Sequence, residues 1–271
     1  MDIITNLFLD LSFWDIAIKL FFGAVIGVCL GLTGVGGGVL IIPILQVVFG
    51  MHAVLAVGTA SVIASLVKLT AAFSHIRVGN VDWKYVIYML MGAIPITLIT
   101  AHFIVALSNA PEYSVIMNNV IEILIISVMS FSMISMIMKM KSINAEAVAS
   151  TQDNGSRSKA VFSGAFCGSV LGSTGIGGGV LLLPMLNSVL GVSIKKSVGS
   201  SIVIALVLSA ICAFNYSHGG QSDIPTALML VLGSLLGVPL AIRLVSWFSE
   251  KVLYQITIAI IAVSLFITVI Y

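Results

Sequence analysis

Charge is scarce in this chain. Asp, Glu, Lys and Arg make up 8% of its 271 residues, hydrophobic residues make up 59%, and the mean hydropathy is +1.20. No water-soluble domain of that length has so few polar side chains, so the sequence reads as an integral membrane protein. The strict alternation of membrane β-barrel strands is missing and the apolar runs are long enough for helices, which makes the fold class all-α. Cysteine is rare as well: Cys29, Cys167 and Cys212 lie in apolar runs without CxxC or Cys/His spacing, which excludes a disulfide framework and a zinc site. There is no basic cluster large enough for nucleic acid. The first fifteen residues carry Asp2, Asp10 and Asp15 and no basic segment, so no cleavable signal peptide is expected. No Gly-x-x-x-x-Gly-Lys-[Ser/Thr] loop, His-Glu-x-x-His motif or Ser/His dyad occurs, which leaves no basis for an ATP-driven step, an intramembrane enzyme, a cofactor or a metal.

Glycine, by contrast, is plentiful and organised. Residues 31 to 43 read Gly-Leu-Thr-Gly-Val-Gly-Gly-Gly-Val-Leu-Ile-Ile-Pro and residues 172 to 184 read Gly-Ser-Thr-Gly-Ile-Gly-Gly-Gly-Val-Leu-Leu-Leu-Pro, identical at nine of thirteen positions. At the same offset of 141, residues 31 to 82 match residues 172 to 223 at 21 of 52 positions, so the chain is a duplicated unit. Glycine-rich backbone between apolar runs persists at membrane depth only where it is buried in protein or lines a wet cavity, and a duplicated break of this kind points to a binding site.

Ten apolar elements follow, at about residues 14–32, 38–49, 54–74, 83–105, 113–138, 159–172, 179–190, 196–216, 224–246 and 251–271. They divide the chain into an N-terminal membrane repeat (1–138), a polar linker (139–158) and a C-terminal membrane repeat (159–271). The second element of each set has about twelve residues, roughly 18 Å of helix, too short to cross. Elements one and two therefore read as a broken helix or re-entrant hairpin, followed by three full spans. Because three is odd, the two repeats are expected to be inverted. With the N-terminus outside, Arg77, Lys84, Lys139, Lys141, Arg157, Lys159, Lys195, Lys196, Arg243 and Lys251 all fall on the cytoplasmic side, and only Lys19 and Lys68 remain, within apolar elements. The expected location is the cytoplasmic (inner) membrane, with both termini outside and the linker cytoplasmic.

The glycine motif pair, together with Ala56-Val57-Gly58-Thr59-Ala60-Ser61 and Gly79-Asn80-Val81-Asp82-Trp83, resembles the TauE/SafE family, also called toluene-sulfonate uptake permeases. The likeness covers nearly the whole chain. It departs in the second half at Ser197-Val198-Gly199-Ser200-Ser201-Ile202 and in the absence of a Trp after Asp223. It implies a permease for a small sulfur-containing anion such as sulfite, sulfoacetate or another organosulfonate. With no ATP site, an ion or substrate gradient would drive it, a proton being one such ion; an anion channel on the same frame is the alternative.

Candidate substrate-binding residues follow from the anion. Short helices starting at Gly36, Gly37, Gly38 and at Gly177, Gly178, Gly179 would aim unpaired amides and dipole ends at it near the midplane, flanked by Thr33 and Thr174; close helix packing is the competing reading of these glycines. Gln46 and Asn187 occupy equivalent positions after Pro43 and Pro184, and serve either as donors to substrate or as caps for backbone freed by proline. Thr59, Ser61, Ser200 and Ser201 either line the same cavity or bond their own backbone. Lys68 and Glu122 are charges well inside full spans and are expected to form one electrostatic unit; snorkelling competes for Lys68.

Overall fold

The computed structural model describes residues 13–33, 38–142, 156–176, 178–245 and 250–270. All ten expected elements are helical. In the first set these are α1 (Phe13–Thr33), α2 (Gly38–Val47), α3 (Ala53–Arg77), α4 (Trp83–Ser108) and α5 (Ser114–Ser142). In the second they are α6 (Arg157–Thr174), α7 (Gly178–Pro184), which continues as a π turn over Met185–Val189, α8 (Ile194–His218), α9 (Ile224–Val245) and α10 (Glu250–Ile270). α5 runs four residues beyond the expected boundary at 138, and residues 143–155 of the linker lie outside the described part.

Five helices, α3, α4, α5, α8 and α9, are long and apolar enough to cross a bilayer over their described residues. The sixth expected span, α10, has 21 helical residues. α2 has 10 residues and carries Pro43 inside it, and α7 stops after 7 at Pro184 before the five-residue π turn. Each falls short of a crossing, because proline removes a donor and crowds the carbonyl of the preceding turn. Gly79 and Gly220, both at φ 74°, close the turns after α3 and α8 in a conformation that other residues adopt only under strain.

The helices pack through glycine. In lipid no hydrophobic driving force separates helix from solvent, so association depends on close van der Waals approach, which small residues permit. α1 runs parallel to α9: a Cβ on Gly23 would strike the Leu230 carbonyl, and one on Gly27 would lie 2.8 Å from Ser234 Cα. α6 runs parallel to α4 in the same manner, with Gly164 on the Met89 carbonyl and Gly168 on Ala93. Gly23 and Gly27 plus 141 are Gly164 and Gly168, so the two seams are counterparts.

Between the seams α3 and α8 run antiparallel, and their contacts are reciprocal at the same offset. Gly58 meets the Gln221 carbonyl while Gly199 meets that of Asn80. The Asp223 amide donates to Thr59 Oγ1 at 2.9 Å, and the Asp82 amide donates to Ser200 Oγ at 2.9 Å. The helices cross where Lys68 Nζ donates to Ser209 Oγ, 3.2 Å away, a residue touching its own counterpart. This arrangement gathers Arg77, Lys84, Arg157, Lys159, Lys195 and Lys196 at one end of the bundle, and His52, Asn109 and Gln221 at the other. Ile41, Ile42, Leu45, Ile63, Met89, Ile125 and Leu171 fill the interior, whereas Phe73, Phe103, Phe162, Phe214 and Leu236 point outward, the apolar exterior a bilayer requires.

Candidate functional site

The second glycine motif packs the end of α6 against α4, α3 and α8. α6 passes Gly172 beside Thr97, near the middle of α4, and stops at Thr174. Gly175 then takes φ 64° and lies against α3, where a Cβ would sit 3.3 Å from the Val57 carbonyl and 3.4 Å from Ser61 Oγ. Tyr216 OH donates to the Gly172 carbonyl at 2.9 Å, tying the end of α6 to α8. Gly175 thus lies about 10 Å along α3 from Lys68, on the His52 side. Gly178 and Gly179 open α7 and Gly38 opens α2. Gly36, Gly37 and Gly177 lie outside the described residues, as does the side chain of Thr33, so the meeting of the two tips is not described.

The hydroxyls divide into two groups. Thr59 and Ser200 are buried, and each spends an oxygen on the backbone amide of the opposite interhelical loop, so they anchor loops rather than face a cavity. Thr174 donates to the Val170 carbonyl at 2.7 Å and Ser201 to that of Val198 at 2.8 Å, the local bonding open to any hydroxyl in a membrane helix. Ser61 also bonds its own helix, through the Val57 carbonyl at 2.8 Å, yet its Oγ lies beside Gly175. Asn187 donates Nδ2 to the Val192 carbonyl at 2.9 Å, which is the capping role. Its counterpart Gln46 is buried with Oε1 lacking a hydrogen-bond partner.

Lys68 and Glu122 do not form the expected unit. Lys68 is half-buried on Ser209 at the crossing of α3 and α8, and among the described residues no carboxylate pairs with it. Glu122 belongs instead to a cavity of about 270 Å³ with Gln46, His52, Asn118 and Thr268. Two charges within apolar spans meet only if both helices turn them toward the same seam. Ser65, not singled out from the sequence, falls between Ser61 and Lys68 at i, i+4, i+7 and is also buried. Ser61, Ser65 and Lys68 therefore share one face of α3, running from Gly175 to the crossing: a polar stripe with one positive charge at its inner end. Among the described residues no three His, Cys, Asp or Glu side chains gather.

Comparison with known proteins agrees with this picture. The model of the family described as "Sulfite exporter TauE/SafE" matches residues 19–267. The probable membrane transporter protein YjnA of Bacillus subtilis (strain 168) is 29% identical over 245 residues, covering 89% of this chain and 95% of that protein. A probable membrane transporter protein of Haemophilus influenzae (strain ATCC 51907 / DSM 11121 / KW20 / Rd) is 25% identical over 247 residues, 88% of each. No solved structure matches the chain. With a family match over nearly its whole length and relatives named as probable membrane transporters rather than enzymes, this chain belongs to the sulfite exporter TauE/SafE family of membrane transporters.

Proposed function

We propose that the protein is a secondary transporter of a small sulfur-containing anion, sulfite or an organosulfonate such as sulfoacetate, working by alternating access between two inverted repeats. The observation that carries the reading is the lysine at the crossing. A half-buried ammonium among apolar helices, unpaired by any carboxylate among the described residues, favours an anion beside it. Ser61 and Ser65 lead to it, and Gly175 leaves the backbone close at the outer end of the stripe. The helix amides that the glycine-rich motifs free attract an oxyanion without holding it irreversibly.

The inversion is supported by the antiparallel run of α3 and α8 and by the reciprocal contacts at offset 141. Six basic side chains gathered at one end support a cytoplasmic assignment for that end, and the proposed orientation has both termini outside the inner membrane. Cysteines introduced at Asn109 and Ser222 are expected to react with an impermeant maleimide in intact cells, and one at Asn154 only after permeabilisation. Labelling at position 154 from outside would overturn the orientation. Names of the relatives say only that they are probable transporters, so the anion itself is to be read from a thermal-shift panel of sulfite, thiosulfate, sulfoacetate, taurine and aryl sulfonates.

A further inference from the structure

The cavity around Glu122 is separate from the stripe that carries Lys68, and its chemistry has the opposite sign. It is lined by Gln46, His52, Asn118, Glu122 and Thr268 together with the turn at Gly50 to His52, at the end of the bundle away from the basic side chains. The donors of Asn118, His52 and Thr268 are already engaged. Asn118 Nδ2 donates to the Ser114 carbonyl at 3.0 Å, while its Oδ1 accepts from the Val54 amide at 3.1 Å and faces His52 Nδ1 at 3.0 Å. An acceptor at that distance calls for the His52 hydrogen on Nδ1, the Leu55 amide at 3.3 Å being the longer contact to the same nitrogen, so Nε2 keeps a lone pair. Thr268 gives its hydrogen to the Ser264 carbonyl at 2.9 Å, which turns its lone pairs outward. Gln46 is 9% exposed and its Oε1 has no hydrogen-bond partner among the described residues, although a buried acceptor of this kind costs about 1–3 kcal/mol when left unsatisfied. Glu122 contributes only acceptors when ionised.

We propose that this cavity binds a monovalent inorganic cation of the sodium type, held by the Glu122 carboxylate with oxygens of Gln46 and Thr268. Oxygen ligands select a hard ion rather than a transition metal, and a single carboxylate balances one positive charge, not two. His52 and Asn118 act through position: their mutual bond and the Val54 amide fix the floor of the cavity against the start of α3. The second repeat does not copy the site, since Asn187 stands for Gln46 with its amide spent on Val192, and Ser193 stands for His52. The cavity goes beyond the anion reading, and its binding test does not depend on that reading.

Purified full-length protein is to be melted in sodium chloride and, at equal ionic strength, in choline chloride, with no sulfur anion present. The melting temperature is expected to rise with the logarithm of sodium concentration. Glu122→Gln should abolish the rise while melting normally in choline, and Thr268→Val should weaken apparent sodium affinity about tenfold through one lost ligand. Equal melting in the two salts overturns the proposal, whether or not the anion is transported, and so does a sodium shift that survives Glu122→Gln. Should Glu122→Gln fail to fold, unchanged sodium affinity in both Thr268→Val and Gln46→Leu overturns it, and weakened affinity in both upholds it.

Discussion

Replacing Lys68 by methionine should weaken binding of the transported anion at least about a hundredfold, as read by titration calorimetry with sulfite. A unit charge about 4 Å from an anion contributes roughly 4 kcal/mol at an effective dielectric of 20. Allowing for the partial exposure of Lys68 still leaves two powers of ten, at about 1.4 kcal/mol each. Methionine keeps the length and packing of the stem and removes a charge that no carboxylate balances among the described residues, so the melting temperature of the variant should hold or rise. Lys68→Arg should retain part of the affinity. The bond Lys68 makes to Ser209 supplies the control: if the lysine served only to join α3 to α8, Ser209→Ala would match Lys68→Met. We expect Ser209→Ala to stay within a few-fold of wild type. Wild-type affinity in Lys68→Met would remove the cation from the mechanism.

The largest expected effect on the fold lies at the glycine seams. Gly164→Val puts a branched side chain on the Met89 backbone of α4, and Gly23→Val does the same to Leu230 of α9. Neither obstacle is a flexible side-chain tip, so a whole helix must shift, which costs more than the 1–3 kcal/mol usual for overpacking within a core. Both variants should fail to give monodisperse protein in detergent, and to a similar degree because they are counterparts. Gly79→Ala offers the comparison: nothing lies within 4 Å of the added Cβ, so only the φ of 74° opposes it, at about 1–2 kcal/mol. A Gly164→Val protein that purifies and melts like wild type would show that α6 and α4 are not held by this approach.

Much of this arrangement can be read in the chain. Ten elements emerge from apolar runs and glycine breaks because a bilayer makes long apolar segments helical, and Pro43 and Pro184 announce the two short helices. The offset of 141 identifies the counterparts, and the structure adds how they touch: Thr59 with Asp223 and Ser200 with Asp82. Those contacts give Thr59 and Ser200 a loop-anchoring role that the sequence did not announce, because a hydroxyl in sequence does not disclose whether its neighbour is a ligand or an interhelical loop. Lys68 and Glu122 were separable only in three dimensions, since depth follows from helix rise while the facing side of each helix depends on its neighbours. Asn118 was within reach of the sequence: it precedes Glu122 by four residues and so shares its helix face. His52, which caps the start of α3, and Thr268, on α10, carried no such signal.

Counterflow into proteoliposomes most directly tests the proposed transport of a small sulfur-containing anion by alternating access. Vesicles loaded with unlabelled sulfite should take up radiolabelled sulfite along a saturable curve, accelerated by the internal load. The Lys68→Met protein should show the rate of empty vesicles. Flux that rises linearly with concentration, follows the imposed membrane voltage and ignores the internal load would contradict exchange and make the protein a channel. The absence of load-stimulated uptake for every sulfur oxyanion and organosulfonate tried would contradict the substrate class.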